Sequence, residues 1–262
     1  MGVYVHGHHD AVLRSHRSRT AENSAAYLLP HLTGSERLLD VGSGPGTITA
    51  DLATLVGSVI ALEMTPDAVA LTRAEIVRRD VTNVECRVGD VHTLPFPDAA
   101  FDVVHAHQVL QHVSNPVLAL QEMARVTRPG GLIAARDSDY GAFFWSPDSP
   151  ILDEWRTLYQ HLARVAGGEP DAGRHYPDWV TEAGLTDVTL TSSSWCYTSA
   201  EEREWWAALW AERVTASTFA TVANERGIGQ TDLDRIAEGW RAWGAAPTGV
   251  FVVPSVELLA RV

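Results

Sequence analysis

The stretch RLLDVGSGPGTITADLA, residues 37–53, decides the fold. An apolar run ends near Asp40, and Gly42, Gly44 and Gly46 lead directly into a helical pattern. Glycine tolerates positive φ and lets a ligand approach the backbone closely. Free N–H groups at a helix N-terminus point toward such a ligand. The stretch therefore predicts a strand, a ligand-binding turn and a helix, with an ordinary tight turn as the alternative.

Apolar runs and helical patterns alternate after this stretch, which is typical of a doubly wound α/β fold with a mostly parallel sheet. The runs are apolar throughout, as expected for strands covered by helices on both faces. The predicted strands are Arg37–Val41, 58–62, Val84–Val88, 101–105 and 132–135. The predicted helices are 20–32, 48–55, 66–79 and 116–127.

The second half of the chain has a different composition. All nine Trp residues lie between Trp145 and Trp243. We expect a helix over 151–165, a strand over 188–194, two or three helices over 199–243 and β structure over 249–262. The pattern predicts an N-terminal arm or lid (1–35), a core (36–198 with 245–262) and a helical cap (199–244).

Composition excludes several functions. The net charge of −13 makes nucleic acid a poor partner. All 20 basic residues are Arg, which excludes Schiff-base chemistry and a Walker A loop. An apolar run of membrane-spanning length and a secretory signal are both missing from the sequence, and two cysteines cannot form a disulfide framework. We expect a cytoplasmic protein with no membrane partner.

Polar residues follow the other predicted strands. Glu63 closes the second strand, where a carboxylate can accept hydrogen bonds from ribose hydroxyls, although a solvated loop acid is the alternative. Asp90 follows the third strand, and His107 and Gln108 follow the fourth. Ligands of open α/β sheets bind at the edge that the carboxyl ends of the strands form. The loop reads D-x-G-x-G-x-G, one residue shorter than the dinucleotide fingerprint, and Asp40 favours a cationic amino-acid ligand over a pyrophosphate.

These segments together resemble a family. DVGSGPG, Glu63, GDVHTLPFPDAAFDVV and HQVLQHVSNPVLALQEMARVTRPGG resemble class I S-adenosylmethionine-dependent methyltransferases, in the small-molecule branch that includes ubiquinone and menaquinone biosynthesis. The resemblance covers about residues 37–136 and is loose over 140–262. It implies a Rossmann-like sheet of seven strands, six parallel and the last antiparallel, and S-adenosylmethionine as cofactor, with S-adenosylhomocysteine as product.

The resemblance also implies a cofactor-binding set. Asp40 and the glycine backbone would hold the methionine part, Glu63 the ribose, Met64 and Asp90 the adenine, with the Val91 amide and the His107 main chain as further contacts. The full set is Asp40, Gly42, Gly44, Gly46, Glu63, Met64, Asp90, Val91 and His107.

Catalytic and acceptor-binding candidates lie near the same edge. His112 and Asp139 are candidate bases, although His112 can equally pack on the loop and Asp139 can be a surface acid. A metal site is disfavoured, because no cysteine or acid completes a ligand set with His105, His107 and His112. The candidate substrate contacts, whose Trp pair can equally be core, are Tyr140, Trp145, Trp206 and Trp210.

The aromatic bias predicts a small, hydrophobic or aromatic acceptor. We expect the protein to be a monomer or a homodimer. We expect the arm, including His6, His8 and His9, to act as a lid, with residues around Tyr4 and 20–23 touching the cofactor. Two other functions stay open. One is a cyclisation or rearrangement that uses S-adenosylmethionine without methyl transfer, and the other is an NAD(P)-dependent oxidoreductase.

Overall fold

The structure is a computed structural model that describes residues 10–262. The predicted lid residues Tyr4, His6, His8 and His9 lie outside the described residues.

The described chain forms one mixed sheet in the order β3-β2-β1-β4-β5-β8, with β6 and β7 also paired to β8. Its strands are β1 (Arg37–Val41), β2 (Ser58–Glu63), β3 (Val84–Val88), β4 (Phe101–His107), β5 (Thr127–Ser138), β6 (Phe144–Ser146), β7 (Asp187–Tyr197) and β8 (Val250–Arg261). The first five strands pair in parallel, and β8 runs antiparallel to both β5 and β7. The predicted doubly wound, mostly parallel sheet is confirmed.

Helices precede β1 and follow most of the strands. They are α1 (Asp10–Arg17), α2 (Ala21–Ser24), α3 (Thr47–Ala53), α4 (Pro66–Arg78), α5 (Pro116–Val126), α6 (Pro150–Val165), α7 (Ala172–Glu182), α8 (Ala200–Ala216), α9 (Thr218–Glu225) and α10 (Gln230–Gly244). The side chains of Thr65, Asn115 and Ser199 accept main-chain N–H bonds at the starts of α4, α5 and α8. These caps satisfy donors that would otherwise lack a partner.

Neighbouring residues of β1 enter two different apolar layers. Leu38 packs with α3 residues such as Leu52, whereas Leu39 packs with α5 residues such as Leu120 on the opposite face. Side chains alternate across a strand, so a strand that is apolar throughout must be covered on both faces. β1 meets this expectation.

A third apolar cluster holds the cap helices α8, α9 and α10 together with α6. At its centre, the Trp155 ring lies 4.5 Å from that of Trp210 and 4.7 Å from that of Trp240, both edge to face. All three rings are fully buried. The division into arm, core and cap stays a prediction. It assigns α6 to the core, although α6 packs on the cap helices.

The cap helices connect two strands that are hydrogen-bonded neighbours. Tyr197 at the end of β7 pairs with Phe251 near the start of β8. Arg203 of α8 donates to the Thr198 carbonyl at the beginning of the connection and to the Ala246 carbonyl near its end, the latter at 2.8 Å. One guanidinium therefore ties both ends of the connection together.

The structure differs from the sequence expectation in four places. The short strand β6 is an eighth strand beyond the seven predicted. It pairs with the first residues of β8, ahead of the part of β8 that pairs with β5. β3 is an edge strand and is only partly covered. The predicted helix 20–32 reduces to α2 and a 3-10 turn at Leu29–His31, and Pro30, which cannot donate a main-chain bond, lies at the start of that turn. α7 escaped prediction because Pro177 lies inside it.

Candidate active site

One cavity of about 440 Å³ opens at the carboxyl ends of the parallel strands. At one end its wall contains the glycine loop and Glu63, and at the other it contains Tyr140, Trp206 and Trp210. Helix α1 contributes Leu13 to the same wall. The structure therefore joins the predicted cofactor residues other than Gly46, together with part of the predicted acceptor residues, in a single cavity.

The glycine loop needs its glycines for different reasons. Gly42, Gly44 and Gly46 all have positive φ, at 69°, 56° and 85°. A Cβ on Gly42 would lie 2.5 Å from Val109 Cγ2, which is an overlap. A Cβ on Gly44 would meet no heavy atom of the described residues within 4 Å. Gly44 therefore leaves room on the cavity side of the loop, as a backbone that contacts a ligand requires.

Asp40 lines the cavity, but both of its carboxylate oxygens are engaged within the protein. Oδ2 accepts from Thr49 Oγ1 at 2.5 Å, and Oδ1 lies 2.7 Å from His105 Nδ1. The side chain is buried. Asp40 therefore fixes the shape of the loop and places an acid beside it. Neither partner was predicted from the sequence.

Glu63 connects the end of β2 to the glycine loop. Its Oε1 accepts from the Gly44 main-chain N–H at 2.7 Å, and its Oε2 accepts from that of Met64 at 3.1 Å. The Met64 side chain is 48% exposed, so it is available to pack on a flat ligand. The contacts that the resemblance gives these residues, with the ribose and the adenine, stay predictions.

Asp90 and Val91 form the next part of the wall. Partial burial raises the pKa of Asp90, but hydrogen bonds from the main-chain N–H and the ring of His92 outweigh it and lower the pKa overall. The two bonds to Asp90 Oδ1 measure 2.9 and 2.7 Å. Asp90 is therefore ionised at neutral pH and can accept from an amine.

His107 and His112 are both neutral at neutral pH. Burial lowers the pKa of His107 well below its usual value, and the positive charges of Arg19 and Arg136 lower it further. Burial against the cavity wall lowers the pKa of His112 to about 3, with a further contribution from Arg19. A base this weak is poorly suited to remove a proton from an acceptor.

The Gln111 side chain determines the tautomer of His112. Gln111 Oε1 accepts from the Ser138 main-chain N–H at 3.1 Å, which orients the amide. Gln111 Nε2 then donates to His112 Nε2 at 3.0 Å. A neutral imidazole that accepts a hydrogen bond at Nε2 carries its proton on Nδ1. The ring is therefore better arranged as a hydrogen-bond donor than as the predicted base.

Two of the predicted catalytic and acceptor residues, like Gly46 of the predicted cofactor set, do not line the cavity. The carboxylate of Asp139 binds Arg174 at 2.6 and 2.8 Å and caps a 3-10 turn through the Ala142 main-chain N–H. Trp145 stacks on Phe251 at 5.6 Å. Neither residue lines the cavity. The structure gives Asp139 and Trp145 roles in packing rather than contact with an acceptor.

The sequence interpretation missed Arg213, which is buried and lines the cavity. Its guanidinium carbon lies 4.9 Å from the centre of the Trp210 ring. Trp206, Trp210 and Arg213 are spaced by four and three residues along α8, which puts them on one helix face. This spacing is the sequence signal from which Arg213 could have been predicted.

Two kinds of feature are not found within residues 10–262. No group of three or more His, Cys, Asp or Glu residues could hold a metal ion there. No helix there is long and apolar enough to cross a bilayer.

Comparison with known proteins agrees with this fold. A methyltransferase domain family matches residues 39–135. An uncharacterized methyltransferase of Schizosaccharomyces pombe is 32% identical, over 98% of this chain and 96% of its own length. A demethylmenaquinone methyltransferase of Paenarthrobacter aurescens is 28% identical, over 61% of this chain and 66% of its own length. The YcgJ structure from Bacillus subtilis has the same fold (TM-score 0.60, 17% identity, 92% of this chain and 98% of that chain).

The sheet order and the acids at successive strand ends define an α/β fold with a crevice at the carboxyl ends of its parallel strands, which is where such folds bind ligands. The relative that matches along nearly the whole chain makes the assignment specific. The chain belongs to the class I S-adenosylmethionine-dependent methyltransferases.

Proposed function

We propose that this methyltransferase acts on a small hydrophobic or aromatic molecule and takes its methyl group from S-adenosylmethionine. One observation carries the proposal: the 440 Å³ cavity runs without interruption from the glycine loop to an aromatic wall. Tyr140 stacks between Phe143 at 4.3 Å and Tyr159 at 4.0 Å on that side. Apolar walls of this kind suit a small apolar ligand.

The residues at the loop end fit the cofactor. S-adenosylmethionine carries a cationic amino group and a sulfonium, and the acids Asp40, Glu63 and Asp90 line this part of the wall. Gly44 leaves space for the methionine part. Glu63 and Asp90 are positioned to accept hydrogen bonds from the ribose and the adenine amine.

The chain contributes positioning and dryness. The bound cofactor supplies an electrophilic methyl group on its sulfonium. Holding the acceptor in line with that methyl group removes much of the activation barrier that a bimolecular reaction in solution would face. Trp206 and Trp210 are buried and line the acceptor end, so they exclude water from the reacting groups.

The experiment is calorimetric titration with S-adenosylmethionine and then with S-adenosylhomocysteine. Glu63→Ala should weaken binding of both by about tenfold or more, because it removes a carboxyl group that accepts hydrogen bonds. Glu238→Ala, an exposed acid on α10, is the control and should bind as the wild type does. Failure of either ligand to bind the wild type, or a Glu63→Ala protein of unchanged affinity, would overturn the proposed site.

The alternative without methyl transfer has one observation in its favour. The structure of the cyclase SpnF shares this fold (TM-score 0.51, 19% identity, 94% of this chain and 80% of that chain). Release of S-adenosylhomocysteine as an acceptor is consumed would support methyl transfer, whereas turnover without it would support the alternative. Titration with NADH tests the oxidoreductase alternative, which the shortened glycine loop disfavours.

A further inference from the structure

Gln108 follows β4 and lies between the two ends of the cavity. In the sheet, β4 pairs with β1 on one side and with β5 on the other. β1 leads into the glycine loop, and β5 leads to Tyr140 of the aromatic wall. The next residue, Val109, approaches the loop so closely that a Cβ on Gly42 would overlap it. Gln108 therefore lines the cavity where a cofactor on the loop and an acceptor on the aromatic wall would meet.

The main chain of Gln108 has a conformation that is unusual for a residue with a side chain. Its φ is +53°, a left-handed value that few residues other than glycine adopt. The Gln108 main-chain N–H donates to the Arg136 carbonyl of β5 at 2.7 Å, which helps to hold this conformation. Strained residues of this kind cluster at active sites and ligand clamps, where the surrounding fold compensates the strain. The local geometry is therefore typical of a functional residue.

The side chain of Gln108 is also held in place. Its Nε2 donates to Ser138 Oγ at 2.7 Å. Ser138 is buried, lines the same cavity and is itself fixed, since its main-chain N–H donates to Gln111 Oε1 at 3.1 Å. An amide that donates through its nitrogen keeps its carbonyl oxygen as an acceptor. Gln108 Oε1 forms no hydrogen bond within residues 10–262, so this half-buried residue brings an available acceptor to the cavity.

We propose that Gln108 Oε1 accepts a hydrogen bond from the hydroxyl or amino group that receives the methyl group, and that Gln108 thereby selects acceptors that carry such a donor. The inference rests on the proposed function and specifies its substrate class: oxygen or nitrogen, rather than carbon, is methylated. A molecule that covers Oε1 without donating to it leaves a polar group desolvated and unpaired, which is costly. Sites built around such a bond therefore reject analogues that lack the donor.

The transfer requires only the acceptor, the cofactor and water. The acceptor oxygen or nitrogen uses a lone pair to form the new bond to the methyl carbon. The bond from that carbon to the sulfonium sulfur breaks at the same time, and its electron pair goes to sulfur. The acceptor atom releases its proton to water. The Gln108 amide accepts a hydrogen bond but takes up no proton, so Gln108 determines specificity and orientation and is not a base.

The test compares two probes of nearly the same shape, 2-naphthol and 2-fluoronaphthalene, of which only the first has a hydrogen-bond donor. Equilibrium dialysis with the protein saturated with S-adenosylhomocysteine gives both affinities. The wild type should bind 2-naphthol about tenfold more tightly. Gln108→Leu, which removes the acceptor oxygen at similar volume, should reduce this preference to about twofold or less. Gln108→Glu keeps an acceptor oxygen and should retain the preference. Gln230→Leu, at an exposed position on α10, is the matched control and should also retain it.

Each outcome decides the inference. Equal binding of the two probes by the wild type, binding of neither probe, an unchanged preference in Gln108→Leu or a lost preference in Gln108→Glu would overturn it. If Gln108→Leu does not fold, Gln108→Gly replaces it, because glycine adopts the positive φ without strain, and it should lose the preference as well. Calorimetric binding of S-adenosylhomocysteine separates the two levels: its failure overturns the proposed function, whereas its success with equal probe binding overturns only the role of Gln108.

Discussion

The two ends of the cavity are built from different materials. The glycine-loop end consists of main chain in left-handed conformations and of acids at strand ends, such as Gly44 and Glu63. The other end consists of large side chains held by one another, such as Tyr140 and Trp210. The first end is sensitive to backbone conformation, and the second is sensitive to packing volume. Substitutions should therefore affect the two ends separately.

The largest effect should follow removal of a ring from the centre of the apolar cluster that joins α6 to the cap helices. Trp155→Ala should reduce the free energy of unfolding by ~3–5 kcal/mol, because it leaves a cavity between Trp210 and Trp240. Urea denaturation measures the loss. Trp179→Ala, at a half-buried position on α7, is the control and should cost less. If folded Trp155→Ala also loses its affinity for S-adenosylhomocysteine, the two ends are not independent.

The opposite comparison uses two glycines with positive φ. Gly44→Ala and Gly34→Ala should each cost ~1–2 kcal/mol of unfolding free energy, because Ala is strained in that conformation. Only Gly44→Ala should weaken S-adenosylmethionine binding, by about tenfold or more, since Gly44 lines the cavity and Gly34 does not. Calorimetry and denaturation of both variants provide the check. Equal affinities would mean that Gly44 does not contact the cofactor.

His112, between the two ends, gives the protein a dependence on pH. Its pKa of about 3 in the fold is below the ~6.5 of an unfolded chain. The unfolded state therefore takes up the proton first, and stability decreases as pH falls below ~6.5. By pH 5 the loss should be ~1–2 kcal/mol, allowing for solvent in the cavity. His112→Gln should be less sensitive between pH 7.5 and pH 5 in urea denaturation. The exposed His31→Gln is the control, and an equal pH sensitivity of both variants would contradict this explanation.

The smallest effect concerns the arm. We expect S-adenosylmethionine to slow tryptic cleavage after Arg14, Arg17 and Arg19 by several-fold, because α1 forms part of the cavity wall and packs on α8. Cleavage after the exposed Arg226 at the end of α9 serves as the internal control. Peptides identified by mass spectrometry give both rates. An unprotected arm would contradict the predicted lid.

Sequence patterns predicted the parts of the molecule that depend on local order. The strand–loop–helix unit around Gly42 and the acid at the end of β2 follow from a few adjacent residues. Contacts between distant residues were not accessible in this way. His105 meets Asp40 across 65 positions, and Arg213 meets Ser15 across 198. A local pattern can single out a residue such as Asp40, but it does not show which distant residue the fold brings against it.

Two other features escaped because the local signal opposed the structure. Pro177 disfavours a helix, yet Tyr176 on the same helix is buried and donates to Asp137 Oδ2 at 2.7 Å. Asp139 follows β5 as a surface acid would, yet Arg174 of α7 binds its carboxylate in the fold. Tertiary packing outweighs propensity at both positions.

The pairing of Tyr197 with Phe251 makes the helices α8, α9 and α10 part of an enlarged β-hairpin loop. A loop whose ends are already neighbours can be lengthened, shortened or exchanged at little cost to the strands on either side. Grafting the corresponding segment of a relative between β7 and β8, with Arg203 retained to tie its ends, is therefore a route to new acceptors. In evolutionary terms, this part of the chain can diversify while the rest of the enzyme is conserved.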